Sequence, residues 1–413
     1  MKNIWIVNYY APPPQISNNL RHVEFARRLQ EQGYKVSLFC ASFYYGRMEQ
    51  IVPKGKLFVE KDIEGVHFVF VKVREHDNTS IKRGLSMFSF AVNLRRCYKD
   101  LDKPDVIMHN IHVPFDYPVS WVAKKTGAKY IVEAWDLWPE GFVRFGVLPA
   151  NHPIVKVSYH YERKLYEKAD EVVFTLEGGL DYLRSRGYLT EQGGKVDHSK
   201  VHYINNGINL KKFEVDRREH PTKDEDLLND KIKKIVYVGS IRLVNDVHKL
   251  MEAAKVLREH KEIVFVIIGN GIDRPALEQY CQSNGLSNVH FKQEHVPIVE
   301  VADIVSHADV NIMNYQPNFG KWGISSSKMF QYYAAGSPIC CNVDSKYCEI
   351  NSHQLGIARR FETAEQYAEA ILELTNLTKE EREQMEHRCK DVALKYDYGY
   401  LTKKLVEVIE NKK

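Results

Sequence analysis

Short apolar runs alternate with amphipathic stretches from one end of the chain to the other. In the first half the runs predict strands at residues 4–7, 36–39, 66–71, 106–108, 130–133, 171–175 and 201–204. Amphipathic segments between them predict helices such as 20–32, 119–125 and 155–168. A second series of strands is predicted at 235–238, 264–268, 289–291, 310–313 and 339–341. Strands that are apolar throughout are buried on both faces, so the pattern implies parallel sheets covered by helices on each side. The expected fold class is α/β, with two doubly wound units in tandem. The turn cluster Asn205-Asn-Gly-Ile-Asn209 and the charge-rich stretch 214–234, with Pro221, predict an exposed connector. The expected domains are therefore residues 1–210 and 211–395, with a final helix within 396–413 that can pack back on the first domain.

Length and charge narrow the picture. At 413 residues the chain exceeds one ordinary core. A net charge of +4 is too small to argue for nucleic acid as a partner. The seven cysteines contain no C-x-x-C pair and read as reduced thiols of a cytoplasmic protein, without zinc or a disulfide framework. The first residues begin a buried strand and lack the features of a signal peptide. No run approaches the roughly 18 apolar residues a membrane span needs. Residues 81–99 place Ile81, Leu85, Phe88 and Val92 on one helical face, flanked by Lys82, Arg83, Arg95, Arg96 and Lys99. Two readings stand: a peripheral contact with the inner face of the plasma membrane, or a core helix whose charged ends snorkel.

Candidate chemistry lies where strands end. The segment 322–339 sets Ser325, Ser326, Ser327 and Lys328 at the start of a short helix that stops on Gly336. The first turn of a helix offers free N–H groups and a positive dipole end, which suit a diphosphate; an ordinary capped core helix would use the same residues. In the same unit, Gly239, Ser240 and Arg242 follow one strand, with Asn245 or Asp246 as the cap of the next helix. Gly269 and Gly271 follow another strand, and glycine turns serve geometry alone as readily as close approach of a ligand. In the first unit a proline-stiffened loop leads to Ser17, Asn18 and Asn19. His109 and His112 follow the strand ending at Met108, and Trp135, Asp136 and Glu140 follow the next. Carboxylates beside indole faces suit sugars, and they equally suit a buried aromatic anchor. The two histidines lack the further ligands a metal site requires.

In order and spacing, Tyr9-Tyr-Ala-Pro-Pro, Asp136-Leu-Trp-Pro-Glu140, Ala169-Asp-Glu-Val172, Ile204-Asn-Asn-Gly-Ile-Asn209, Tyr237-Val-Gly-Ser240, Ile268-Gly-Asn-Gly271, Ala308-Asp-Val310 and Ser327-Lys-Met-Phe-Gln-Tyr-Tyr-Ala-Ala-Gly-Ser-Pro338 span almost the whole chain. Together they resemble family 4 of the GT-B glycosyltransferases that build bacterial surface polysaccharides such as capsule and O-antigen. The resemblance implies two Rossmann-like domains facing a cleft, and a nucleotide-sugar donor (UDP or GDP) held by the second domain. It further implies a glycan or polyprenyl-linked saccharide acceptor held by the first, retention of anomeric configuration, and no cofactor or metal. On that reading Gly239, Ser240, Arg242, Gly269, Gly271, Ser325, Ser326, Ser327, Lys328 and Gln331 hold the donor. Ser17, Asn18, Asn19, His112, Trp135 and Glu140 hold the acceptor, and Asp136, His109 and Arg242 serve catalysis.

The chain also departs from the family. Gly323 and Gln331 stand where two glutamates are usual, Ser240 and Asn245 where an arginine and a lysine usually clamp the diphosphate, and Trp135 where a histidine often precedes the aspartate. Gln331 retains hydrogen-bonding capacity toward ribose, whereas Gly323 replaces nothing. These losses keep two rivals in view: an NDP-sugar 2-epimerase or hydrolase on the same scaffold, and a partner subunit that has lost its donor site.

Overall fold

A computed structural model describes residues 1–16, 20–44, 49–77 and 80–411. The chain divides into two compact units, Met1–Asn205 with Leu401–Lys413, and Asn206–Tyr400. The first contains β1 (Asn3–Val7), β2 (Lys35–Ala41), a small hairpin of β3 (Phe43–Tyr44) and β4 (Glu49–Gln50), β5 (Phe58–Ile63), β6 (Val66–Val71), β7 (Val106–Asn110), β8 (Lys129–Ala134), β9 (Glu171–Phe174) and β10 (Val201–Tyr203). The second contains β11 (Lys233–Val238), β12 (Ile263–Ile268), β13 (Val289–Phe291), β14 (Val310–Met313), β15 (Ile339–Cys341) and β16 (Gly356–Ala358).

The eight-stranded sheet of the first unit runs β10-β9-β8-β7-β1-β2-β6-β5. Its middle is set by sequence: all five residues of β1, Asn-Ile-Trp-Ile-Val, are buried, as a strand covered on both faces requires. The expectation of a wholly parallel sheet needs one correction. β5 pairs antiparallel with β6, from Phe58 opposite Val71 to Ile63 opposite Val66. Its pattern Phe-Val-Glu-Lys-Asp-Ile carries charge on an edge that meets water, so no continuous apolar run announced it. The turn between the two strands, Glu64-Gly65, has positive φ at both positions, as a tight hairpin demands. In the second unit six parallel strands run β13-β12-β11-β14-β15-β16.

Two further expectations change. The stretch after residue 209 is not simply a connector, because the helix Leu210–Glu219 occupies its first part and is capped by the Asn209 side chain on the Lys212 N–H. Residues 81–99 form the helix Ser80–Cys97 with a 3₁₀ turn at Tyr98–Asp100, and the face that is buried is Met87, Phe90, Ala91 and Leu94. Ile81, Leu85 and Phe88, taken as the apolar face, are 78%, 45% and 49% exposed. Among the described residues no helix is long and apolar enough to cross a membrane.

The helix Tyr398–Glu410 ends among residues of the first unit. Lys129 Nζ donates to the Val408 carbonyl at 2.7 Å, Tyr34 Oη to Glu410 at 2.9 Å and the Asn411 amide to Glu171 at 2.9 Å. In open parallel sheets ligands gather beyond the carboxyl ends of strands where the order reverses. That point lies between β1 and β7 in the first sheet and between β11 and β14 in the second.

Candidate active site

In the second unit β11 delivers Gly239 and β14 delivers Tyr315 to the reversal point, and the helix Ser327–Ala335 begins beside them. The helix is anchored by Met329, Phe330, Tyr332, Tyr333, Ala334 and Ala335, all buried, and it stops on Gly336 at φ 82°. The serines do not cap it as expected. Ser326 is the N-cap residue and its side chain makes no capping bond, while the Ser325 hydroxyl accepts from the Asn206 amide at 2.9 Å. Hence the N-cap side chain does not compete with an anion for the first-turn N–H groups.

Lys328, in that first turn, points inward. Its Nζ is buried and has no hydrogen-bond partner. It lies 4.4 Å from the centre of the Tyr237 ring and 5.6 Å from that of Tyr315, which stacks on Phe319. Burial pulls this ammonium down to about 8, against a smaller opposing influence of Cys341. Two cation–π contacts are worth about 0.5–2 kcal/mol each, less than the several kcal/mol lost when a cation leaves water. The ammonium therefore stands in a place that suits an anion.

The three glycines divide by what surrounds them. A Cβ on Gly269 would meet the Gly239 carbonyl at 1.9 Å, and one on Gly271 the Ile241 carbonyl at 1.9 Å. Those two glycines let the turns after β11 and β12 lie backbone to backbone, which is a packing role. A Cβ on Gly239, at φ 150°, would instead meet Lys328 Nζ at 2.8 Å. Gly239 thus keeps open the space in which the ammonium sits. The turn itself is braced, since Tyr237 Oη donates to the Ser240 carbonyl at 2.7 Å and Ser240 Oγ to Asn245 Oδ1 at 2.9 Å. Neither Asn245 nor Asp246 caps the helix that follows, because Asn245 is used on Ser240 and Asp246 adopts a left-handed backbone with no capping bond. Arg242 is exposed in the same turn, and Gln331 is half-buried. Gly323, with φ 102°, is buried.

In the first unit the strand carrying His109 runs on to Asn110, which puts this histidine inside the sheet. Its Nδ1 bonds Tyr130 Oη at 2.8 Å and its Nε2 bonds Asp116 at 3.1 Å, with 1% of the residue exposed. Both ring nitrogens are used by the core, so His109 leaves no atom for a substrate. Asp116 also takes the His112 N–H, and although burial pushes its carboxyl up, His109 and His112 hold it below the usual carboxylate range. His112 itself faces Tyr10 and Trp138, with ring centres 5.2 and 5.4 Å away.

Asp136 follows β8 and is exposed. Protein nonetheless crowds it, and this partial burial raises its carboxyl above the ordinary value, opposed by His112 and Arg144. Glu140 accepts from Tyr159 Oη at 2.9 Å, and Trp135 packs on His22 with ring centres 5.3 Å apart. His112, Asp136, Trp138 and Glu140 are thereby brought together, and His109 is not among them. Ser17, Asn18 and Asn19 lie outside the described residues. Among the described residues no group of three or more His, Cys, Asp or Glu could hold a metal ion.

The sequence matches known families over most of its length. The model for Glycosyltransferase Family 4 matches residues 21–212, and that for Glycosyl transferases group 1 matches residues 219–392. The chain belongs to the family 4 GT-B glycosyltransferases. One relative of this glycosyltransferase, the candidate colanic acid biosynthesis glycosyl transferase WcaI of Escherichia coli K12, is 24% identical over 65% of this chain and 66% of its own. Solved structures share the fold. A trehalose-6-phosphate protein from E. coli bound with UDP-2-fluoro glucose superposes with a TM-score of 0.73 at 13% identity, over 99% of both chains. Anabaena HepE in complex with UDP and glucose gives 0.65 at 10% identity, again over 99% of both.

In sequence Lys328 was legible only as a charge beside the expected donor-binding helix start, and its burial among tyrosines was not. The burial of Arg144 was not legible there either. The signal for Arg144 was its place four residues after Glu140 in one helix, a spacing normally read as an exposed ion pair.

Proposed function

We propose that this glycosyltransferase moves a sugar, with retention of anomeric configuration, from a UDP- or GDP-sugar to a glycan or lipid-linked saccharide in cell-surface polysaccharide biosynthesis. The observation that carries the reading is the buried, unpartnered ammonium of Lys328 at the start of the helix Ser327–Ala335, beside the Gly239 turn. Support for the donor comes from neighbours of this fold bound with UDP-2-fluoro glucose or with UDP and glucose. Support for the pathway class comes from the relative described as a candidate for colanic acid biosynthesis.

In the proposed step the bond between the anomeric carbon and the diphosphate oxygen breaks, and negative charge grows on the phosphate. Lys328 and the first-turn amides of the helix stabilise that charge from a fixed position, which is where preorganised donors act most strongly. The departing phosphate oxygen takes the proton of the acceptor hydroxyl, whose oxygen bonds to the anomeric carbon on the same face. Lys328 thus takes over from the family's missing arginine and lysine, Arg242 adds an exposed second cation, and Gln331 bonds ribose. Asp136 and His112 orient the acceptor. No metal enters this step, so chelator-treated enzyme should keep its transfer activity.

Calorimetric titration of UDP and GDP into the full chain, followed by donor turnover with and without glycan acceptors, tests the reading. We expect one nucleotide to bind with micromolar affinity in wild type and at least tenfold more weakly in Lys328→Met. Binding of neither nucleotide, or equal binding in the variant, would sink it, and rapid isomerisation of donor without acceptor would favour the epimerase. A peripheral membrane location also belongs to the proposal. The exposed face Ile81, Leu85 and Phe88 lies beside Lys82, and such a pairing favours an anionic bilayer. Cosedimentation with phosphatidylglycerol vesicles at low salt should be lost in Leu85→Glu/Phe88→Glu.

A further inference from the structure

The short helix Trp138–Arg144 ends in a cation that the mechanism above does not use. Arg144 has two of its guanidinium nitrogens, Nε and Nη1, buried without a hydrogen-bond partner. Its guanidinium carbon lies 5.1 Å from the Phe145 ring centre. Asp136 and Glu140 sense its charge, and their carboxylates favour its cationic form against the burial that opposes it. Neither carboxylate accepts from Nε or Nη1, however, and Glu140 accepts instead from Tyr159 Oη at 2.9 Å.

A guanidinium stays charged at any physiological pH and presents a planar fork that matches two oxygens of one anion. Leaving such donors buried and unmatched is unfavourable, and protein cores avoid it. Tyr182, which donates its hydroxyl to Glu162 at 2.7 Å, accepts from neither of these two nitrogens. Arg186 does not compete either, since it stacks on the Tyr159 ring at 3.7 Å. The surroundings therefore hold Arg144 in place and supply no acceptor for Nε or Nη1, and the residues beside it are those assigned above to the acceptor.

We infer that Arg144 is an anion-recognition residue of the acceptor site, so that the acceptor carries a phosphate or carboxylate close to the hydroxyl it offers. This rests on the assignment of Asp136 and its neighbours to the acceptor. Asp136 then addresses the reacting hydroxyl while Arg144 fixes the sugar through its charge, and a neutral glycan lacks the second contact.

Ligand-observed NMR titrations of the full chain, saturated with UDP, compare glucose 1-phosphate, glucuronic acid and methyl glucoside. An anionic sugar should bind at least tenfold more tightly than methyl glucoside, and the two anionic probes separate phosphate from carboxylate recognition. Arg144→Ala should erase the preference, and Arg144→Lys should retain part of it, since it keeps the charge and loses the fork. Equal binding of all three sugars in wild type, or a preference that survives in Arg144→Ala, overturns the inference. Thermal melts establish that each variant is folded, and where Arg144→Ala is not, Arg144→Lys and Arg144→Gln carry the comparison. Repeating the titration in Lys328→Met without UDP separates this inference from the donor reading. A preference that disappears there was a property of the donor site and also overturns it.

Discussion

Each unit buries a basic side chain near the reversal point of its sheet, and the two are treated in opposite ways. Arg21, 1% exposed, is saturated. Its Nε bonds Glu133 Oε1 at 2.9 Å, its Nη2 reaches the Ile204 carbonyl at 2.8 Å, and its Nη1 reaches the Asn205 carbonyl. Glu133 in turn holds His22 at 2.6 Å and the Asn110 amide at 3.2 Å. Lys328 has none of this. A charge whose partners are all supplied by the chain does structural service, whereas one left among aromatic rings is held at a cost to the fold and is free to meet a ligand. Both are cations in a core, and only their partners tell them apart.

The sharpest way to break the comparison is to remove a partner from Arg21. Glu133→Ala leaves a buried guanidinium and a buried imidazole uncompensated, and breaking such a pair costs about 3–5 kcal/mol. Urea denaturation should show that loss, and a smaller one would mean that Arg21 is less committed than its contacts imply. The same carboxylate gives a pH signature. Although burial raises it, Arg21 and His22 hold Glu133 down at about 2 from an ordinary 4.5. A carboxyl depressed in the folded state contributes stability that is complete above the ordinary value and is lost as pH falls toward about 2.

Gly239→Ala comes next. It forces a side chain into a φ of 150° and against the Lys328 ammonium, at a cost of about 1–3 kcal/mol for the strained backbone. Melting temperature should fall, and nucleotide affinity with it. Lys328→Met sharpens the contrast from the other side. Stability should stay level or rise, because an unpaired buried charge is replaced by an apolar chain of similar length, while nucleotide affinity falls at least tenfold, or about 1.4 kcal/mol. A loss of stability comparable to that of Glu133→Ala would erase the distinction between the two cations.

The smallest effect is in pH. In the free protein Lys328 is depressed to about 8, so above that value binding an anion must also take up a proton. UDP affinity should therefore weaken as pH rises from 8 to 9, and Lys328→Met should flatten that slope.

Most of the architecture was legible in the sequence because buried parallel strands such as Ile263–Ile268 are written as unbroken apolar runs. β5 was not, because an edge strand with Glu60, Lys61 and Asp62 looks like a loop. The site was legible at the level of segments and less so at the level of atoms. Gly239 and Gly271 look alike in sequence, and only the backbone packed against the second shows that its role is steric. His109 and His112 likewise sit three positions apart, and the two residues by which the strand runs past Met108 set the first inside the sheet with both ring nitrogens bonded. Charge pairing was least legible, since Arg144 and Lys328 differ from ordinary surface residues only by what is missing around them.

The helix Tyr398–Glu410 has a consequence for how the molecule is made. Residues 1–205 leave the ribosome long before the segment from Leu401 that belongs with them. The surface around Lys129, Tyr34 and Glu171 stays uncovered while the whole of the second is synthesised. Folding in the order of synthesis is the usual course for multidomain chains; here the first unit completes its packing only after the whole of the second has been made.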